Sequence, residues 1–177
     1  MMFGLGSLLL LASAALPSGH VASGSPDIVL AMKAFEQICW RHVGDDVALE
    51  KAVGSTSLPF SRDDSNSTAY SSVWTVSGAK VIFSKGSQFP VPLCTLYLRT
   101  SVAFDDGGVE SSFKSLLGLD DKFIDKKLNK GGKAWRIPMS NNRTFLVGVG
   151  RPTSSDEGNV GFTVQIFKTS SLTRTQH

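Results

Sequence analysis

The chain is poor in the residues that usually announce chemistry. It has two cysteines, Cys39 and Cys94, and three histidines, His20, His42 and His177. Neither C-x-x-C nor H-E-x-x-H occurs, so no metal motif of those types is present. No serine stands in G-x-S-x-G, which removes the nucleophile elbow of the α/β-hydrolases. Asp63-x-Ser65-x-Ser67 lacks the glycine and distal glutamate of a calcium loop. Gly148-Val149-Gly150 closes an apolar run but opens no helix, so it is not a phosphate cradle.

Charge is also missing where it matters. No Lys, Arg, Asp or Glu precedes Asp27, and the stretch Phe3–Leu16 is almost wholly apolar. A membrane span needs about 20 such residues, and here Pro17, Ser18, Gly19 and His20 interrupt the run. Its length suits a secretory signal, expected over 1–24, with small residues permitting cleavage after Ala14, Ser23 or Gly24. No basic residue precedes the run, so only the amino terminus supplies positive charge. No cysteine stands at a lipidation position. The expectation is an exported protein, periplasmic or secreted, without a transmembrane segment in its mature part.

What remains is one domain, expected over 25–170, followed by a tail at 171–177 without apolar pattern. Pro26 and Asp27 signal a helix start. Ile28, Ala31, Met32, Phe35, Ile38, Cys39 and His42 recur on one helical face as far as Val43, where Gly44 stops the run. A second short helix follows Asp45-Asp46 and ends at Gly54. From Leu58 to Ser72 the chain is turn-rich and reads as a surface loop. The period then changes to two. Val73–Val76 and Val81–Phe83 form a hairpin, and Leu93–Leu98 a longer strand with Cys94, Leu96 and Leu98 on its more apolar face. A third helix follows Asp105-Asp106. Strands then recur at Ala134–Ile137, Thr144–Val147 and Val160–Phe167, the first two joined through Asn141-Asn142. The expected fold is α+β: an antiparallel sheet of about five or six strands, with two N-terminal helices and one mid-chain helix packed on it. Two three-strand runs either side of a helix make a loose internal symmetry.

Cys39 on a helix and Cys94 on a strand both occupy apolar faces. Export and an even cysteine count favour a disulfide between them, worth roughly 3–4 kcal/mol on the loop-entropy estimate. Two buried free thiols are the plain alternative. The sharper alternative is a metal bound by Cys39, His42 and Cys94, although no fourth ligand is evident. His42 is the single histidine inside the expected folded domain, and the one base a small hydrolase would have. The acidic doublets at 45–46, 105–106 and 120–121 border expected helices, where aspartate caps.

The net charge of +3 is concentrated locally. Lys122, Lys126, Lys127, Lys130, Lys133 and Arg136 lie against Asp120, Asp121 and Asp125, a stretch able to meet an anionic envelope component. Phe123 and Trp135 are too few for a base-stacking platform, so nucleic acid is not an expected partner. Most surface charge runs are simply solvated. The loop Ser61–Ser71 is the second candidate recognition surface.

Phe35-x-x-x-Cys39, the short helix ending near Gly54 and Cys94-x-Leu96 before a helix together resemble the small exported alphaproteobacterial proteins of unknown function with two cysteines. The resemblance implies a periplasmic protein with a helix–strand disulfide, and it implies no activity. Two functional readings follow. The first is a non-catalytic exported domain, without cofactor, that binds a partner protein, an envelope component or a small ligand. The second is a small hydrolase or metal enzyme built on His42 with Cys39 and Cys94.

Overall fold

The computed structural model describes residues 27–85, 91–100, 105–125, 132–140, 142–152 and 159–168. The expected leader and tail, together with Lys126, Lys127 and Lys130, lie outside them.

Helix α1 spans Ile28–Phe35, and Asp27 caps it, its carboxylate accepting from the Val29 amide at 3.2 Å. The run does not continue as one α-helix to Val43. It widens into a π-helical turn at Glu36–Trp40. The wider turn is consistent with Ile38 and Cys39, adjacent in sequence, both being buried. Gly44, at φ 92°, ends the segment in the left-handed region. Helix α2 covers Asp46–Ser55, with Asp45 as its N-cap. It runs through Gly54 rather than stopping there, because the terminating contacts come later. The Thr56 hydroxyl has the Val53 and Leu58 carbonyls within reach, at 3.2 and 3.0 Å, as alternative acceptors for its one proton.

Seven strands follow in one antiparallel sheet: β1 Ser61–Arg62, β2 Ser71–Val76, β3 Ala79–Ser84, β4 Leu93–Leu98, β5 Gly132–Met139, β6 Arg143–Gly150 and β7 Val160–Lys168. Helix α3, Asp106–Leu117, lies between β4 and β5 in the chain. The expected five or six strands become seven because β1 forms inside the segment read as loop. Two residues carry no detectable period, and both are exposed. That segment is also anchored more firmly than a free loop, since Leu58 and Phe60 are buried in the core.

The sheet order is β1-β2-β3-β4-β7-β6-β5. It divides into two meanders, β2-β3-β4 and β5-β6-β7, each preceded by helix and joined where β4 pairs with β7. The loose symmetry in the sequence is therefore an arrangement in space. Tight turns, of two residues between β2 and β3 and three between β5 and β6, fix the register of those pairs. Gly78 at φ 77° joins β2 to β3, and Asn142 at φ 53° stands where β5 turns into β6.

All three helices pack on one face of the sheet. Phe35 of α1 and Phe113 of α3 meet at 5.5 Å between ring centroids, and both contact Phe162 of β7. Around them Val81, Leu96, Leu98, Trp135, Val147 and Val164 are sealed from solvent. Cys39 and Cys94 form a disulfide through this core, with Cα atoms 5.3 Å apart. It ties the π-helical turn to the central strand. Among the described residues no helix is long and apolar enough to cross a membrane.

Candidate functional site

Because side chains alternate across a strand, the face opposite the helices is set by the same register. Two cross-strand rows define its middle. Gly132, Gly150, Gly161 and Tyr97 are successive partners across β5, β6, β7 and β4. Beside them run Ala134, Gly148, Thr163 and Thr95. Five of these eight positions carry a methyl or no side chain at all. The missing side chains leave a trough of about 370 Å³, walled by Tyr97, Leu93, Leu146 and Pro152. That is within the size range of small-molecule sites.

Glycine inside a strand weakens it, and it often marks a place where a ligand or another backbone comes close. The glycines here divide by cause. At Gly132 an added Cβ would run into the Val149 carbonyl and the Gly150 Cα, so the packing of β5 on β6 requires glycine. At Gly161 an added Cβ would meet only Pro152 and the Tyr97 ring, each at 3.5 Å, which is ordinary contact. Gly148 is intermediate, 3.3 Å from the Lys133 carbonyl oxygen. Neither Gly148 nor Gly161 has positive φ. Backbone conformation and packing do not require glycine at 161. Its effect is to leave the floor of the trough open.

The polar side chains lining this floor include threonine hydroxyls and a glutamine amide, and Lys133 also lines the trough. Thr95 and Thr163 share a hydrogen bond of 3.0 Å, and Gln165 lies beside Leu93 and Leu146. The Lys80 ammonium stands 5.6 Å from the centre of the Tyr97 ring. At the far end Arg151 makes a forked pair with Asp106 of α3, at 3.0 and 3.2 Å. An adjoining recess of about 200 Å³ runs from there under α3, lined by Val109, Glu110 and Val160.

The residues singled out from the sequence are placed elsewhere. Cys39 and Cys94 are oxidised to each other, so neither is a thiolate ligand or nucleophile. His42 opens onto a separate groove of about 540 Å³ between the π-helical segment and α2, with Gln37, Arg41, Lys51 and Ser55. Among the described residues no carboxylate lines this groove with His42, and Arg41 is paired with Glu36 at 2.6 Å. Among the described residues no three His, Cys, Asp or Glu side chains are grouped to hold a metal. Lys122 is exposed and paired with Asp120 at 2.8 Å. The hydrogen bond from Lys122 is the main cause holding the Asp120 carboxyl below the usual carboxylate range. Arg136 is not a free surface cation, because it donates through Nε at 2.9 Å to the buried Asp125 carboxylate. The basic stretch is thus partly neutralised by its own acids where it is described.

In the loop Ser61–Ser71, the Asp63 carboxylate accepts from the Ser65 hydroxyl at 2.6 Å and from Asn66 at 2.8 Å. These bonds, the one from Ser65 first, hold its pKa below the ordinary value. The loop's polar groups are largely spent on one another.

The trough was not found from the sequence. Its one visible trace was Gly148-x-Gly150 with Gly161, glycines at strand period in apolar runs. Only the β6–β7 register shows that they face one another. Compared with family models, with curated proteins and with solved structures, the chain has no significant match.

Proposed function

We propose that the protein is an exported, non-catalytic binding domain and that the trough on the sheet face opposite the described helices is the recognition site. The observation that carries this reading is Gly161, a strand glycine whose replacement the structure would accommodate but whose absent side chain keeps the trough open. The site stands on four paired strands backed by the disulfide-tied core, a rigid platform suited to binding with little reordering. Among the described residues no histidine, cysteine or carboxylate lines it, which favours binding over turnover.

The buried disulfide fits an oxidising compartment, and with the apolar leader it supports a periplasmic or secreted location. Kinship with the small exported alphaproteobacterial proteins of two cysteines belongs to the same proposal. The basic stretch around Lys122 is a second contact surface at most, since Arg136 and Lys122 are engaged by Asp125 and Asp120.

The test is a thermal-shift screen of a chemically mixed small-molecule panel on wild type and on Gly161→Val. The added isopropyl group fills the trough from its floor. Compounds that raise the melting temperature of wild type should fail to raise that of the variant. Equal shifts in both proteins would move the site elsewhere, the His42 groove first.

A further inference from the structure

We infer that Asn66 and Asn142 are N-glycosylation sites, each receiving an oligosaccharide from a lipid-diphosphate carrier during export. The inference rests on the export reading and takes its secreted arm over the periplasmic one.

Asn66-Ser67-Thr68 and Asn142-Arg143-Thr144 both have the form N-x-[ST] with no intervening proline, the acceptor motif of this transfer. In the reaction the asparagine Nδ2 bonds to the anomeric carbon of the first sugar. The bond from that carbon to the diphosphate oxygen breaks, and one amide proton leaves. The products are an N-glycosyl asparagine and the lipid diphosphate, with no change of oxidation state. The attached group is bulky and hydrated, so its carrier must stand at the surface.

Both asparagines meet that requirement. Asn66 is exposed within the loop Ser61–Ser71. Its Nδ2 donates to the Asp63 carboxylate at 2.8 Å, and a glycosylated amide keeps one hydrogen for that bond. The Asn66 backbone amide donates to the same carboxylate at 3.1 Å, so the turn has a second tie. Asn142 is exposed in the three-residue turn between β5 and β6, where its φ of 53° is left-handed. The third described asparagine, Asn159, carries no motif and is placed differently. It is half-buried, its Nδ2 donating to the Thr100 carbonyl at 2.7 Å and its oxygen accepting from the Thr100 amide at 3.0 Å. Motif and exposure coincide at two positions and are both missing at the third.

The two carriers also stand clear of the trough. The Asn66 loop continues from β1 along β2, where Asp63 N bonds Val73 O and Thr68 N bonds Ser71 O. Asn142 turns the two strands at the other end of the sheet order. Neither lines the trough or the recess beside α3, so glycans at these turns leave the recognition face open. The second motif also sets the order of events. Thr144, which supplies its hydroxyl, is 5% exposed and pairs with Pro138 of β5. Once that hairpin closes a transferase cannot reach the hydroxyl, so transfer to Asn142 precedes folding.

The experiment isolates the protein from its own organism, reads its intact mass before and after peptide:N-glycosidase, and maps the asparagine-to-aspartate conversions that the enzyme leaves. Conversion is expected at positions 66 and 142 and not at 159. Asn66→Gln, and Asn142→Gly because glycine retains the positive φ, should each remove one glycan's mass and leave the other. Chain made without glycans and offered a transferase with lipid-linked oligosaccharide should accept at Asn142 only after reduction and unfolding. An unmodified asparagine at either position overturns that site, and acceptance at Asn142 by the folded chain overturns the order argued from Thr144. If both are bare in a chain that begins near Ser25 with its disulfide formed, glycosylation falls and export stands. If both are bare and Met1 is retained, both readings fall.

Discussion

Replacing the trough glycines one at a time separates space kept for folding from space kept open. Gly161 has no positive φ, and a Cβ there meets Pro152 and Tyr97 at 3.5 Å, a distance at which atoms attract rather than collide. Alanine also has fewer unfolded conformations to lose, an effect worth about 0.4–1 kcal/mol where the native backbone suits it. Gly161→Ala should therefore stabilise the domain by about 0.5 kcal/mol. Gly132→Ala should do the opposite. Its Cβ would press on the Val149 carbonyl and the Gly150 Cα, backbone atoms that yield only by moving a strand. Strain of that kind costs about 1–3 kcal/mol. Urea denaturation of both variants, read by circular dichroism with unchanged slope, gives the two signs directly. A Gly161→Ala variant destabilised by more than about 1 kcal/mol would refute the reasoning. It would mean that position 161 is glycine for structural reasons.

Removing the disulfide with Cys39→Ala and Cys94→Ala together opens a loop of separation 55, which corresponds to a loss of about 4 kcal/mol on the chain-entropy estimate. Chemical denaturation should find it, and intact-mass analysis after alkylation should show both thiols blocked in the native protein until reduction. Arg136→Ala leaves the buried Asp125 carboxylate without its guanidinium and should cost about 1–3 kcal/mol, measured as a lowered denaturation midpoint. Asp63 has a folded pKa below its unfolded value of about 3.9. Its ionised form therefore supports the loop above that value, and the support is lost as pH falls through the lower, folded value. Amide exchange at Ser65 and Asn66 should quicken over that acidic range, and Asp63→Asn should remove the pH dependence.

Much of the fold was legible because short-range physics set it. Asp27, Asp45 and Asp105 each cap the helix that follows, as their positions suggested. Gly44, Gly78, Gly118 and Asn142 take the positive φ that turns and helix ends require. Alternation placed Cys94, Leu96 and Leu98 on the buried face, and the helical repeat placed Cys39 opposite, so the disulfide was an available inference. The π-helical turn was not legible, since one helical face accounts for Phe35, Ile38 and Cys39 almost as well. Nor was β1, whose two residues are too few to show a period and pair with Thr75 and Trp74 of β2. The trough was least legible of all. It consists of side chains that are not there, brought together from four strands by a register that joins residue 97 to 161 and 161 to 150. A sequence reading that searches for reactive groups passes over such a site, and Lys122 and Arg136 drew attention instead.

The central claim, that recognition occurs on the sheet face opposite the described helices, is tested most directly by soaking crystals of the disulfide-intact protein with a diverse fragment library. The account predicts that bound fragments gather over Gly148 and Gly161, in contact with Tyr97 and Thr163. Fragments gathered in the groove beside His42, with that floor bare, would contradict it.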